Sequence, residues 1–174
     1  EAQHHDVRDG LGAGPADREI LAMATAPSFD PNLPGKSKAA DLGNRAVTDV
    51  FEPGSTAKVL IAAAAVEEGV ATPGTKLTIP GSLHRSDATF HDHVPHGTWR
   101  LTFAGVVAKS SNLGTILVAE KMAPATLAQY LRAFGLGRPT GLGLPGESSG
   151  IVAPVDDWWG TQRYTIPFGQ GLSV

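Results

Sequence analysis

Ser55 and Lys58 stand three residues apart at the start of a run that continues Val59-Leu60-Ile61 and four alanines to Val66. On a helix that spacing puts both side chains on one face, a turn apart. A serine hydroxyl is a weak nucleophile until a neighbouring base takes its proton. A lysine can be that base when burial or a nearby cation lowers its pKa. The residues that follow are apolar, and a helix N-terminus adds positive potential that favours both a neutral amine and an oxyanion. The Ser55 N–H, in the first turn, would be free to polarise a carbonyl. The same two residues also read as a serine N-cap followed by a lysine stretched along its helix, and S-x-x-K alone does not choose between these readings.

A second constellation is Ser110-Ser111-Asn112, which interrupts the helical apolar spacing of Leu101 to Met122. Ser and Asn compete with the backbone for hydrogen bonds and are unfavourable inside helices. A loop there would present Ser110 and Asn112 on one side, as a proton relay and an amide for a peptide backbone. A plain helix break capped by Ser and Asn uses the same residues. His84, His91, His93 and His96 form a third group. On a strand, His91-Asp92-His93 would put two imidazoles on one face, as a metal site requires. Pro95 and Gly97 make the segment loop-like instead, which favours a solvated cluster. Gly135, Gly137, Gly141 and Gly143 lead to no G-K-S/T helix start and read as a tight connection rather than a phosphate loop. Trp158 and Trp159 could stack on a sugar or peptide, but neighbours on a strand point opposite ways, and one is expected simply to pack.

The elements that must hold these residues follow from periodicity and punctuation. A helix is expected over Ser55 to Glu68, with Gly69 as its C′ residue. Its alanines combine high propensity with little bulk, so it should be central, buried and packed on several sides. Leu101 to Met122 is helical with a break at 110–112, and a further helix fits Ala125 to Phe134, closed by Gly135. Glu19 to Ala24, ended by Pro27, has the length of a buried strand, and its periodicity also admits a short helix. Residues 70–100 should be loops and short strands, and Gly135 to Pro145 irregular. Residues 1–18 read as a poorly structured leader, because Gly10-Leu11-Gly12-Ala13-Gly14-Pro15 is a poor strand former. No solenoid-type repeat is present.

The chain has 174 residues and no cysteine, which excludes disulfides, thiolate zinc sites and a cysteine nucleophile. Its 21 glycines and 13 prolines are about a fifth of the total, against a usual share of about 12%, so turns and close backbone contacts are expected. With 41% hydrophobic and 18% charged residues it is neither disordered nor a coiled coil. A net charge of −3 gives no basic footprint for nucleic acid. The longest unbroken apolar run, Val59 to Val66, is too short to cross a bilayer, and no signal-peptide pattern opens the chain.

Several segments together resemble one family. Phe51-Glu52-Pro53-Gly54-Ser55-Thr56-Ala57-Lys58 is similar to the nucleophile segment of penicillin-binding proteins, and Lys109-Ser110-Ser111-Asn112-Leu113-Gly114 to their S-x-N motif. Asn44-Arg45-Ala46-Val47, Thr140-Gly141-Leu142-Gly143-Leu144-Pro145-Gly146-Glu147 and Phe168-Gly169-Gln170-Gly171 resemble the class B, monofunctional, division-associated branch. The resemblance runs over residues 19–174 in the family's order.

It implies an α/β (α+β) transpeptidase fold of the penicillin-binding-protein and serine β-lactamase type. It further implies a peptidoglycan D,D-transpeptidase in cell division. Ser55 would attack the bond between two terminal D-alanines, Lys58 would take its proton, Ser110 would relay a proton to the leaving amine, and Asn112 would hold the donor peptide. The implied partners are stem peptides ending in D-Ala-D-Ala, β-lactams as covalent inhibitors, and division and cell-wall synthesis proteins; no cofactor or metal is implied. The place of action would be the extracytoplasmic face of the bacterial membrane, with any anchor upstream of Glu1.

The family's third motif, K-S/T-G, occurs nowhere in the sequence: Lys36-Ser37-Lys38 lacks the glycine, and Thr140-Gly141 follows Pro139. The family's strand with that motif supplies a second oxyanion donor, and losing such a donor costs on the order of 3 kcal/mol. Residues 19–174 are therefore expected to be a partial transpeptidase domain, mostly its helical part with the central antiparallel sheet largely missing. Such a unit should associate with a partner segment or be poorly soluble. Two other classes stay open: a class D-like β-lactamase or D,D-carboxypeptidase, and a non-catalytic fragment that binds β-lactams or peptidoglycan.

Overall fold

The glycine-rich start of the chain departs from its sequence reading. In the computed structural model, which describes residues 8–13 and 20–174, Arg8–Ala13 is a strand (β1) paired antiparallel with Ile20–Ala26 (β2). Strand pairing needs a backbone N–H and C=O, which glycine supplies as well as any residue, and a partner of good β-propensity overrides weak local preference. The register slips only at Gly12/Ala13. The remainder of the expected leader, with Glu19, lies outside the described residues.

The chain divides into two compact units, Glu1–Asp49 with Gly141–Ser148, and Val50–Thr140 with Ser149–Val174. In the first, the β1–β2 ribbon packs against α1 (Arg45–Thr48). A single helical turn cannot cover a ribbon face, so β2 is not the buried strand its apolar run suggests: Leu21 is 70% exposed. Val47 of α1 is buried, and its carbonyl accepts the Ser148 N–H at 2.8 Å, joining the two segments of the unit.

The second unit begins with a 3-10 turn, Gly54–Thr56, that runs into α2 (Ala57–Glu67). Gly69 takes φ +67° just past its end, as a C′ glycine should. Ala57, Lys58, Ile61, Ala64 and Ala65 are buried, a three-and-four spacing that forms one stripe against later helices. The helix is not buried on several sides, however. Val59 and Val66, at complementary spacing, are 60% and 48% exposed.

Two ribbons follow. β3 (Lys76–Ile79) pairs antiparallel with β6 (Trp99–Thr102), and between them β4 (Leu83–Arg85) pairs with β5 (Ala88–Phe90). Leu77 and Ile79 alternate inward from β3. Thr102 caps α3 (Phe103–Ala108) by accepting the Gly105 N–H at 3.1 Å. The helical pattern breaks at Lys109–Ser111, one residue earlier than the expected 110–112, and Asn112 already opens α4 (Asn112–Ala119). α5 (Pro124–Ala133) ends at Gly135, φ +97°. α6 (Gln162–Thr165) comes late in the chain, after a stretch without helix longer than the 3-10 turn Val155–Asp157.

α2 lies against α4 and α5, and the core is built from Ile61, Val106, Leu113, Ile116, Leu131 and Ile166. Among the described residues the only sheets are the three two-stranded ribbons. This agrees with the helical part of the expected α+β fold. No described helix is long and apolar enough to cross a membrane. Trp158 is packed and its indole N–H donates to the Ala153 carbonyl at 3.1 Å, while Trp159 is 74% exposed. Both follow the 3-10 turn Val155–Asp157 rather than lying on a strand.

Candidate active site

The 3-10 turn at the head of α2 sets the position of Ser55. Its own bonds run from the Thr56 N–H to the Pro53 carbonyl and from the Ala57 N–H to the Gly54 carbonyl, which leaves the Ser55 N–H outside them. The turn is held from behind by the Gly54 N–H, which donates to the Gly169 carbonyl at 3.0 Å. Gly169 has φ +81°, and a Cβ there would overlap the Gly54 backbone, so only glycine allows this approach. Glu52 adds a second tie by accepting the Gly171 N–H at 2.7 Å.

Lys58 projects from the first turn of α2 and is 4% exposed. An ammonium has three donors, and three acceptors surround Nζ: Ser55 Oγ at 3.1 Å, Ser110 Oγ at 3.0 Å and the Ser110 carbonyl at 2.5 Å. Burial pushes the Lys58 amine below its ordinary value, and the charge of Asp92 opposes only part of that. Ser110 reaches Lys58 because the break between α3 and α4 turns its backbone into the left-handed region, φ +52°. Three of the residues singled out in the sequence thus share one hydrogen-bonded group, across 52 positions of chain.

Asn112 is the first residue of α4, and its Nδ2 donates to the His91 carbonyl at 3.2 Å. Ser111 beside it is fully buried and is the N-cap, accepting the Gly114 N–H at 2.9 Å. The break therefore serves both as a cap and as a wall of the site. The cleft in front of Ser55 has a volume of about 520 Å³, with Ser110, Asn112, Trp99, Lys109 and Gln170 also in its lining. Lys109 Nζ stands 5.8 Å above the Trp99 ring.

Asp92 is the residue that sequence reasoning missed as part of this site. Its Oδ2 accepts from the Ser111 hydroxyl at 2.6 Å and from His96 Nε2 at 2.9 Å, and its Oδ1 accepts the Leu113 N–H at 3.0 Å. Burial alone would raise its pKa, but Ser111, Leu113, His96 and the Asn112 N–H together hold the carboxyl below its ordinary value. Nothing local in the sequence pairs position 92 with position 111; only its place in the His91–His96 cluster marked it. That cluster does not act as a unit. His91 and His93 are exposed, as a solvated cluster would be, whereas the His96 side chain is 4% exposed and its ring stacks on Trp99 at 3.6 Å. Among the described residues no three His, Asp or Glu side chains are arranged to hold a metal ion.

A helical layer with an S-x-x-K serine and lysine on one wall of a cleft and an S-x-N turn on the other defines a class, the penicillin-recognising serine folds. The chain belongs to the penicillin binding protein transpeptidase domain family, which matches residues 13–174. It is 45% identical over 157 residues to penicillin-binding protein PbpB of Mycobacterium tuberculosis, covering 90% of this chain and 23% of the relative. It is 41% identical over 158 residues to peptidoglycan D,D-transpeptidase FtsI of Escherichia coli, covering 90% and 26%. The crystal structure of penicillin binding protein 3 from Mycobacterium tuberculosis complexed with ampicillin superimposes with a TM-score of 0.85 at 44% identity, over 90% of this chain and 35% of that one. The chain spans about a quarter of the length of the curated relatives it matches.

Proposed function

We propose that this chain carries the acyl-transfer site of a division-type peptidoglycan D,D-transpeptidase. The observation that carries the reading is the position of Lys58 Nζ, buried and within hydrogen-bond distance of both Ser55 Oγ and Ser110 Oγ. A buried amine with a lowered pKa can accept the Ser55 proton as Ser55 Oγ bonds to the carbonyl carbon of the penultimate D-alanine. The Ser55 N–H stabilises the developing oxyanion. Collapse breaks the amide C–N bond, and the proton passes from Lys58 through Ser110 to the leaving D-alanine amine. An amine from a second stem peptide then attacks the ester carbonyl; the C–Oγ bond to Ser55 breaks, the proton lost by the amine returns through Ser110 and Lys58 to Ser55 Oγ, and the new amide is the cross-link. Asn112, on the cleft wall, orients the donor backbone.

The same serine would open β-lactams, whose acyl-enzyme lacks a departing leaving group. The names of PbpB and FtsI support the assignment, as does the ampicillin complex of a relative. The proposed setting is the extracytoplasmic face of the cell membrane, among division and cell-wall synthesis proteins. Intact-mass measurement with ampicillin tests the first step. An adduct that maps to Ser55 and vanishes in Ser55→Ala supports it; an adduct that survives Ser55→Ala refutes it.

A further inference from the structure

Asp92 takes no part in the transfer of protons or acyl groups described above, yet four donors converge on it. Two are the Asn112 and Leu113 N–H groups, the first of α4, which have no partner within their own helix. A third is the Ser111 hydroxyl. Because Ser111 Oγ already accepts from Gly114, its hydrogen is directed to Asp92, and the chain from Gly114 through Ser111 to Asp92 has a defined direction. The fourth is His96, whose ring is clamped between this bond and the face of Trp99. Asp92 is itself 4% exposed at its side chain. Three of these four donors, from Ser111, Asn112 and Leu113, belong to the residues immediately after Ser110, the one residue of the turn in the left-handed region.

We propose that Asp92 is the positioning residue of this site: its buried carboxylate anchors the Ser111–Leu113 backbone so that Ser110 is aimed at Lys58, and it supplies the counter-charge that Lys58 faces. The inference rests on the serine–lysine reading of the cleft. Held at both hydroxyls, the Ser110–Ser111 turn becomes a rigid spacer between the Lys58 amine and the Asp92 carboxylate. The anion raises the Lys58 pKa against the effect of burial. The other titratable or charged groups around the pair are His96, bonded to Asp92, and His93 and Lys109 at the cleft lining. The segment Ile166–Phe168, which also packs on α2, contributes none.

The test compares the chain with Asp92→Asn and Asp92→Glu. Lys58 is followed by NMR of ¹⁵N-labelled lysine, with its signal identified by its loss in Lys58→Arg. Exchange of the Asn112 and Leu113 amides and the rate of ampicillin acylation against pH are measured alongside. Asp92→Asn should move the Lys58 midpoint to lower pH, accelerate exchange of both amides, and lower the high-pH plateau of acylation on the order of 10- to 100-fold. Asp92→Glu should restore the midpoint. A lowered plateau with an unmoved Lys58 midpoint overturns the proposal, since a packing defect alone does that; so do unchanged amide exchange and midpoint. If Asp92→Asn does not fold, Ser111→Ala decides, because it removes one donor and keeps the carboxylate. Faster Leu113 exchange with slower acylation supports the role, and neither change refutes it. If the midpoint falls while ampicillin labels neither protein, the positioning role stands and the acyl-enzyme reading falls.

Discussion

Ser110 and Ser111 are neighbours in the chain that face opposite sides of the site. Ser110 Oγ lies 3.0 Å from Lys58 Nζ, and Ser111 Oγ lies 2.6 Å from Asp92 Oδ2. The alternation depends on the left-handed backbone of Ser110, a conformation that costs a non-glycine residue roughly 1–2 kcal/mol. The Asp92 bonds and the Ser111 cap offset that cost and hold the Ser110 hydroxyl beside Lys58.

Replacing Ser110 separates its hydroxyl from its backbone. Ser110→Ala should slow ampicillin acylation on the order of 10²- to 10⁴-fold, the usual worth of a positioned proton-transfer group. Ser110→Gly relaxes the backbone, so it should be at least as stable as Ser110→Ala in thermal melts and just as slow. A Gly variant that acylated at the native rate would show that the carbonyl, not the hydroxyl, is what the site uses.

Lys58 should make acylation pH-dependent. Its amine is useful when neutral, and burial places its pKa below 10.5, so the acylation rate should fall as pH drops through that lowered value. The linkage to stability has a definite sign. The unfolded lysine binds its proton more tightly than the folded one, so stability rises with pH between the lowered value and 10.5. Stopped-flow acylation and urea melts across that range check both halves. Lys58→Met should remove the acylation and the stability slope together.

Gly169 should tolerate no side chain. Gly169→Ala combines a positive φ with overlap against the Gly54 backbone, and strain of this kind costs a few kcal/mol. The expected result is a thermal midpoint lowered by several degrees and slower acylation at Ser55, because the nucleophile's turn is what moves. An unaltered melt would mean that the Gly54–Gly169 contact is not kept in solution.

Gly114 plays a similar part inside α4. An added Cβ would meet both Val106 methyls, at 2.6 and 2.8 Å, and Ile79 at 3.1 Å, in the fully buried core. Gly114→Ala should therefore destabilise the chain by roughly 1–3 kcal/mol despite alanine's better helix propensity, read as a lower urea midpoint at constant slope.

Much of the site was legible as local spacing. The i, i+3 placement of Ser55 and Lys58, the cap-forming break at Ser110–Asn112 and the helix ends at Gly69 and Gly135 each depend on a few consecutive residues. Hydrogen bonds one turn apart and glycine's access to positive φ operate at that range, and the structure repeats them. Three features were decided only by tertiary structure. β1 forms because β2 offers a ladder, although Gly10 and Gly12 have little propensity of their own. The exposed Val59 and Val66 stripe of α2 reflects which neighbours are present, a matter that helix periodicity cannot address. Asp92 joins Ser111 across 19 residues, and Lys58 joins Ser110 across 52. Those contacts, and the burial that lowers the pKa of Lys58, arise from how helices and loops pack, which no window of sequence contains.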